Sequence, residues 1–223
     1  MGLKLQLHRL AYRLMERSVG ELEELGTREP WTIFPDLTAS SFVVSGGAGY
    51  DISFELDLIA KYGCTVALLD PSPPGSKTVS ELDEKPDALH FHPYGLAAET
   101  GTHHLHAPAE KQDTASWVIG GGEGGVPMEF LSLRDVLAKE HRSVIDLLKI
   151  DIEGYEYEVL YSVLDQKLPI RQICVEIHQG PRFLHRTQRD RWRLIFALRR
   201  AGYLLVHHAG RNHTFVRSAL VDQ

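Results

Sequence analysis

The chain has 223 residues, 43% of them hydrophobic and 24% charged, which is material for one substantial core and a single compact α/β domain. A formal net charge of -6 gives no broad attraction for phosphate backbones or anionic membranes, so nucleic acid and membrane surfaces are disfavoured as partners. Cys64 and Cys174 lie far apart, each among apolar strand-like residues, and read as buried free thiols of a cytoplasmic protein rather than as a disulfide or a zinc site.

Leu3, Leu7, Leu10 and Leu14 recur at helical spacing, while Lys4, His8, Arg9, Arg13, Glu16 and Arg17 interrupt every apolar run. This pattern predicts an amphipathic helix that packs on the domain or on a second copy of the chain in a homodimer; it is neither a signal peptide nor a membrane span. Residues 26–40, with Pro30, Trp31 and Pro35, show no period and read as an irregular connection. Residues 1–40 therefore form a lead, and 41–223 the main domain.

Ser41 to Ser45 is an apolar strand that stops at Gly46-Gly47-Ala48-Gly49, and Phe54, Leu58 and Tyr62 follow at helical spacing up to Gly63. Thr65 to Leu69 is a continuous apolar run ending in Asp70, as in a sheet covered on both faces, and Pro71-Ser72-Pro73-Pro74-Gly75 then breaks the chain. Ala88 to His92 reads as the third strand. The polar, glycine-rich stretch 99–127, with its run from Gly120 to Gly125, reads as a surface excursion and a candidate flap.

Met128 to Leu131 is extended, and Ser132 with Asp135 caps a short helix through Leu133, Val136 and Leu137. Val144 to Ile150 is a strand ending in Asp151, followed by a helix carrying Tyr157, Leu160 and Leu164. Gln172 to His178 is another strand, Arg189 to Ala201 a helix closed by Gly202, and Tyr203 to His208 with His213 to Arg217 a hairpin. The alternation predicts a mostly parallel sheet with an antiparallel strand near its end.

In such sheets ligands bind at the carboxyl ends of the strands. Ser45, Gly46, Gly47, Ala48 and Gly49 end the first strand, and their small or absent side chains let backbone N–H groups approach a ligand. Asp70 ends the second, placed to accept two ribose hydroxyl hydrogen bonds. The dinucleotide fingerprint would put a third glycine where Ile52 stands, and a phosphate loop would need a Lys followed by Ser or Thr. A nucleoside without pyrophosphate fits better, S-adenosylmethionine being the commonest. Asp151 and Glu153 share the fourth strand end, where an acid pays desolvation unless it has a partner or ligand. Glu156 and Glu158 are assigned to the positive start of the following helix.

The segment from Phe130 to Leu137 and the run Ile145-Asp146-Leu147-Leu148-Lys149-Ile150-Asp151-Ile152-Glu153-Gly154 through Leu160 closely resemble the FkbM-type methyltransferases. So does Val175-Glu176-Ile177-His178, at the expected interval. Val43 to Glu55 resembles a related methyltransferase-like domain group, in which Gly-x-Gly precedes an Asp-x-Ser-Phe run; together these cover residues 42–217. The resemblance implies a class I, Rossmann-like methyltransferase fold over 41–223: a mostly parallel seven-stranded sheet, a C-terminal antiparallel hairpin and helices on both faces. It implies S-adenosylmethionine as cofactor, with Gly47 to Gly49 near the methionine, Asp70 and Pro71 at the ribose, and Gly95 and Leu96 beside the adenine. Many class I enzymes carry an acid where Ser45 stands, so Asp51 is expected to take the methionine ammonium.

Methyl transfer is an in-line displacement at a sulfonium, helped by alignment and by removal of the acceptor proton. His178 is the first choice of base, because its ordinary pKa near 6.5 leaves much of it neutral at pH 7; Asp151 is the second, with Glu153 and Glu176 orienting. A divalent metal is conceivable but not favoured; one that did bind would use Asp151, Glu153 and His178. His103, His104 and His106 read as exposed strand-edge residues. The expected acceptor is a small molecule, a sugar or secondary metabolite methylated on a hydroxyl, with the pocket walls in 26–40 and 99–127. Two alternatives stand beside this reading: a nucleotide-dependent oxidoreductase or epimerase, whose Tyr-x-x-x-Lys pattern is absent, and a catalytically silent nucleoside-binding module.

Overall fold

The computed structural model describes residues 3–108, 117–120 and 125–221. Gly121, Gly122, Glu123 and Gly124 of the glycine run lie outside the described residues, as do the side chains of Leu3 and Leu7. Helix α1 (Leu3–Met15) and strands β1 (Glu23–Leu25) and β2 (Trp31–Ile33) lead the chain. They are followed by β3 (Phe42–Gly46), α2 (Ser53–Tyr62), β4 (Thr65–Leu69), α3 (Pro73–Ser80), β5 (Leu89–His92), β6 (Gly95–Ala97), β7 (Gly101–His106), β8 (Val118–Ile119) and β9 (Val126–Ser132). The rest is α4 (Leu133–Lys139), β10 (Ile145–Ile150), α5 (Glu156–Gln166), β11 (Ile170–Glu176), α6 (Gln188–Arg200), β12 (Tyr203–Ala209), β13 (Asn212–Arg217) and α7 (Ser218–Val221).

The central sheet has seven strands in the order β12-β13-β11-β10-β3-β4-β5. Every pairing from β11 to β5 is parallel, and β13 runs antiparallel to both its neighbours. The expected fold class is therefore the observed one. Adjacent residues of each strand feed opposite faces. Val44, Ala67 and Leu148 pack under α4, α5 and α6, whereas Val43, Leu68 and Leu147 pack under α2. Because the chain order reverses between β3 and β10, the sheet opens a crevice above their carboxyl ends.

Four local expectations are corrected. Residues 26–40 are not irregular throughout: β2 pairs with β1, Trp31 and Ile33 are buried, and the Gln172 side chain bonds both the amide and the carbonyl of Phe34. A three-residue strand is too short to display a period, and its partners come from far along the chain. The Pro71 to Gly75 run starts α3 instead of simply breaking the chain. Proline is accommodated in a first turn, where its missing N–H would have no helical partner, and the Ser72 hydroxyl caps Gly75 N–H.

The stretch 99–127 contributes to a second, four-stranded sheet, β6-β9-β7-β8, over a small cluster of Ala97, Leu105 and Phe130. There His104 is exposed as expected, but His103 packs edge-on against Phe130 and Tyr155. The two α1 leucines whose side chains are described lie off the face that packs on the domain. Tyr12 is buried, stacks on His208 at 3.5 Å and bonds His213 Nε2 at 2.8 Å, while Leu10 and Leu14 are exposed. Among the described residues no helix is long and apolar enough to cross a membrane.

Candidate active site

Above the crevice lies a cavity of about 640 Å3, within the usual range for small-molecule sites. Its floor combines the glycine turn after β3, Asp70 after β4, Lys149 and Asp151 at the end of β10, and Glu176 and His178 at the end of β11. Trp31 from the lead, Leu105, Ile119 and Phe130 from the second sheet, and Trp117 just before β8 form its walls.

The turn is shaped by close approach. Gly47 has φ +92°, and a Cβ there would lie 2.0 Å from the Asp151 carbonyl oxygen. Asp70 Oδ2 accepts from the amides of Ala48 at 2.8 Å and Gly49 at 3.0 Å, and its Oδ1 accepts from Ser72 N at 2.7 Å. Asp70 thus ties the turn to the start of α3, and Gly75 makes room for it: a Cβ on Gly75 would sit 2.3 Å from Asp70 Cγ. Three of roughly four acceptor positions on the carboxylate are in use.

Ser45 and Gly46 are buried in β3 beneath the turn. Pro71 precedes the Ser72 cap of α3, and Gly95 packs flat against the Phe130 ring, so of the expected adenine neighbours only Leu96 reaches the cavity wall. Asp51 lines the cavity, but its carboxylate accepts from Ser53 N and Oγ at 3.0 Å and from the amides of Arg28 and Glu29 at 3.3 Å. Burial would raise its pKa, yet these bonds hold the group below the ordinary aspartate value. Asp51 clamps the lead onto the turn.

Beside the turn, Ser45 Oγ donates to Glu55 Oε1 at 2.5 Å, and Lys149 Nζ stands 3.7 Å from the same oxygen. Lys149 donates instead to the Gly47 carbonyl at 2.6 Å and lies 5.6 Å from the Trp31 ring centroid. Sequence reasoning missed both residues. The signal available for Glu55 was an acid on the otherwise apolar face of α2, between Phe54 and Leu58.

The other half of the floor gathers acids around one imidazole. His178, 3% exposed, bonds Glu156 Oε1 through Nδ1 at 2.9 Å, and the same oxygen accepts from the amides of Ile152 and Gly154 at 3.1 Å. Its Nε2 faces Asp151 at 3.8 Å, Glu153 at 3.6 Å and Glu176 at 3.7 Å. Glu156 was expected only to favour a helix start; it is instead fully buried and holds His178 in place. Burial alone would lower the His178 pKa, but the bond to Glu156 and the charges of Glu156, Asp151 and Glu153 outweigh it and raise it to about 9. This corrects the expectation of a largely neutral imidazole at pH 7.

Burial lifts the Asp151 carboxyl above the usual range against the pull of Lys149 and His178, and burial with the Asp151 charge pushes Glu176 up to about 7. The floor therefore holds carboxylates of raised basicity beside an imidazolium. Asp151, Glu153 and His178 also offer ligand atoms within 4.8 Å of one another, a donor set chemically suited to a divalent cation.

Residues 34–205 match the Methyltransferase FkbM domain. The chain belongs to the FkbM methyltransferase family. No curated protein sequence matches this FkbM protein at a significant level.

Solved structures similar to it are distant. They include the METTL16 MTase domain, with 12% identity over 82% of this chain and 61% of that one, at a TM-score of 0.45. The N-terminal domain of human METTL16 in complex with SAH has 14% identity over 81% and 64%, at 0.43, and monomeric WbdD 13% over 96% and 40%, at 0.45. The chain spans about three fifths of the METTL16 domain it matches.

Proposed function

We propose that this FkbM methyltransferase moves the methyl group of S-adenosylmethionine onto a hydroxyl of a small molecule, such as a sugar or another secondary metabolite. The observation that carries the reading is the continuity of one cavity from the glycine turn and Asp70 to the acids around His178. The nucleoside lies against Asp70 and Leu96 with its methionine over the turn, and the acceptor hydroxyl lies over Asp151 and His178. Alignment of acceptor oxygen, methyl carbon and sulfur supplies much of the acceleration, up to roughly 7–11 kcal/mol in well-oriented reactions. As the C–O bond forms and the S–C bond breaks, the acceptor proton passes to a carboxylate of Asp151 or Glu176, held beside the His178 imidazolium, a contribution of about 100- to 10,000-fold.

A cavity walled by Trp31, Trp117 and Phe130, in a chain of net charge -6, favours a small acceptor over nucleic acid. Calorimetry with S-adenosylhomocysteine and NAD tests the donor: micromolar binding of the first and none of the second is expected, and the reverse refutes the reading. Labelled methyl transfer into fractionated small-molecule extracts identifies the acceptor. With it, Asp151→Asn and His178→Ala should each lower turnover at least about 100-fold. Intact turnover in both would remove these residues from the mechanism.

A further inference from the structure

The amino-acid end of the proposed donor carries an ammonium and a carboxylate on one carbon, and the cavity floor holds one complementary pair beside the turn. We infer that Glu55 and Lys149 form a subsite for an α-amino-acid zwitterion, Glu55 receiving the ammonium and Lys149 the carboxylate. The inference rests on S-adenosylmethionine being the donor. Both side chains are almost completely buried, yet both line the cavity next to Gly47, Ala48 and Gly49.

Buried ion pairs repay their desolvation only in close, hydrogen-bonded geometry. This one stands open at 3.7 Å, and the Lys149 ammonium donates to the neutral Gly47 carbonyl rather than to the carboxylate. A zwitterion brings no net charge into the cavity and offers each partner a charge-assisted bond. The Ser45 hydroxyl on β3 steadies Glu55 in the first turn of α2.

Other acids are less available. Asp51 is engaged by four hydrogen bonds from Ser53 and the amides of Arg28 and Glu29. Asp151, Glu153 and Glu176 are gathered around His178 Nε2, and Glu29 is solvent-exposed.

Two ligands separate the amino-acid end from the nucleoside: S-adenosylhomocysteine carries it, and 5′-methylthioadenosine lacks it. Calorimetry on the full chain should show that Glu55→Gln and Lys149→Met each weaken S-adenosylhomocysteine roughly ten- to a hundredfold, the range of a hydrogen bond to a charged group. Methylthioadenosine should change by less than about twofold, which also reports that the variant is folded. The double variant leaves no unpaired buried charge and keeps the test readable if a single variant does not fold. Unchanged S-adenosylhomocysteine binding, or equal losses for both ligands, overturns the subsite and makes the pair structural. If the unmodified protein binds neither ligand, the donor reading falls and the subsite with it.

Discussion

Glu156 sits in the first turn of α5, where the helix dipole favours any carboxylate, so its presence there has a sufficient local explanation. The positive φ angles of Glu153 (55°) and Gly154 (103°) fold the preceding loop back over it, and the carboxylate turns inward to meet His178, 22 residues further on. Glu156→Gln preserves shape but removes the charge that holds the imidazolium. Turnover should fall roughly ten- to a hundredfold, and urea unfolding should show a loss of about 1–3 kcal/mol. Gly47→Ala would force a Cβ against the Asp151 carbonyl at a positive φ, so a loss of at least about 2 kcal/mol and of S-adenosylhomocysteine binding is expected by calorimetry. Asp70, Asp151 and His178 were legible as strand ends; Glu55 left only its place on the apolar face of α2 as a signal, and Glu156 at its helix start left none, because a carboxylate there looks the same whether buried or solvated.

Long elements announced themselves through continuous apolar runs or helical spacing, whereas β1, β2 and β8, of two or three residues, carry no readable period. Caps were partly legible. Ser132 caps α4 as expected, and Thr187 forms a reciprocal capping box with Asp190 at the start of α6. Thr187→Ala should cost about 1 kcal/mol and lower the melting temperature by a few degrees in scanning calorimetry.

Glu140 joins α4 to β5 by bonding His90 Nδ1 at 2.7 Å and His92 Nε2 at 2.6 Å. Burial would raise its pKa, but these bonds lower it below the ordinary value. A depressed carboxylate pKa contributes stability above the unfolded value near 4.3 and loses it as the pH falls through the folded one. Glu140→Gln should therefore destabilise the protein by about 1 kcal/mol at pH 7. The difference should shrink below pH ~4, as read by urea titrations at both pH values.

Across the whole molecule, the lead, the sheet and the second sheet close on one cavity from three sides. Trp31 comes from residues before the sheet, and Leu105 and Trp117 from the insertion between β6 and β9. Tyr12 ties α1 to the hairpin across 201 positions of sequence, which leaves Leu10 and Leu14 outward. A homodimer through that outer face remains our proposal: sedimentation should show a dimer that Leu10→Glu with Leu14→Glu dissociates, and a monomeric unmodified chain would refute it.

By itself, the amino-acid sequence determined the alternation of strands and helices, the parallel character of the sheet and the chemistry at its strand ends, since periodicity and terminal residues are local properties. Only the tertiary structure decided that Glu156 holds His178, that Asp51 is a clamp, and how the expected wall 26–40 is held against the sheet. Those outcomes depend on contacts such as Phe34 with Gln172, 138 residues apart, and on the desolvation they impose, neither of which leaves a local pattern.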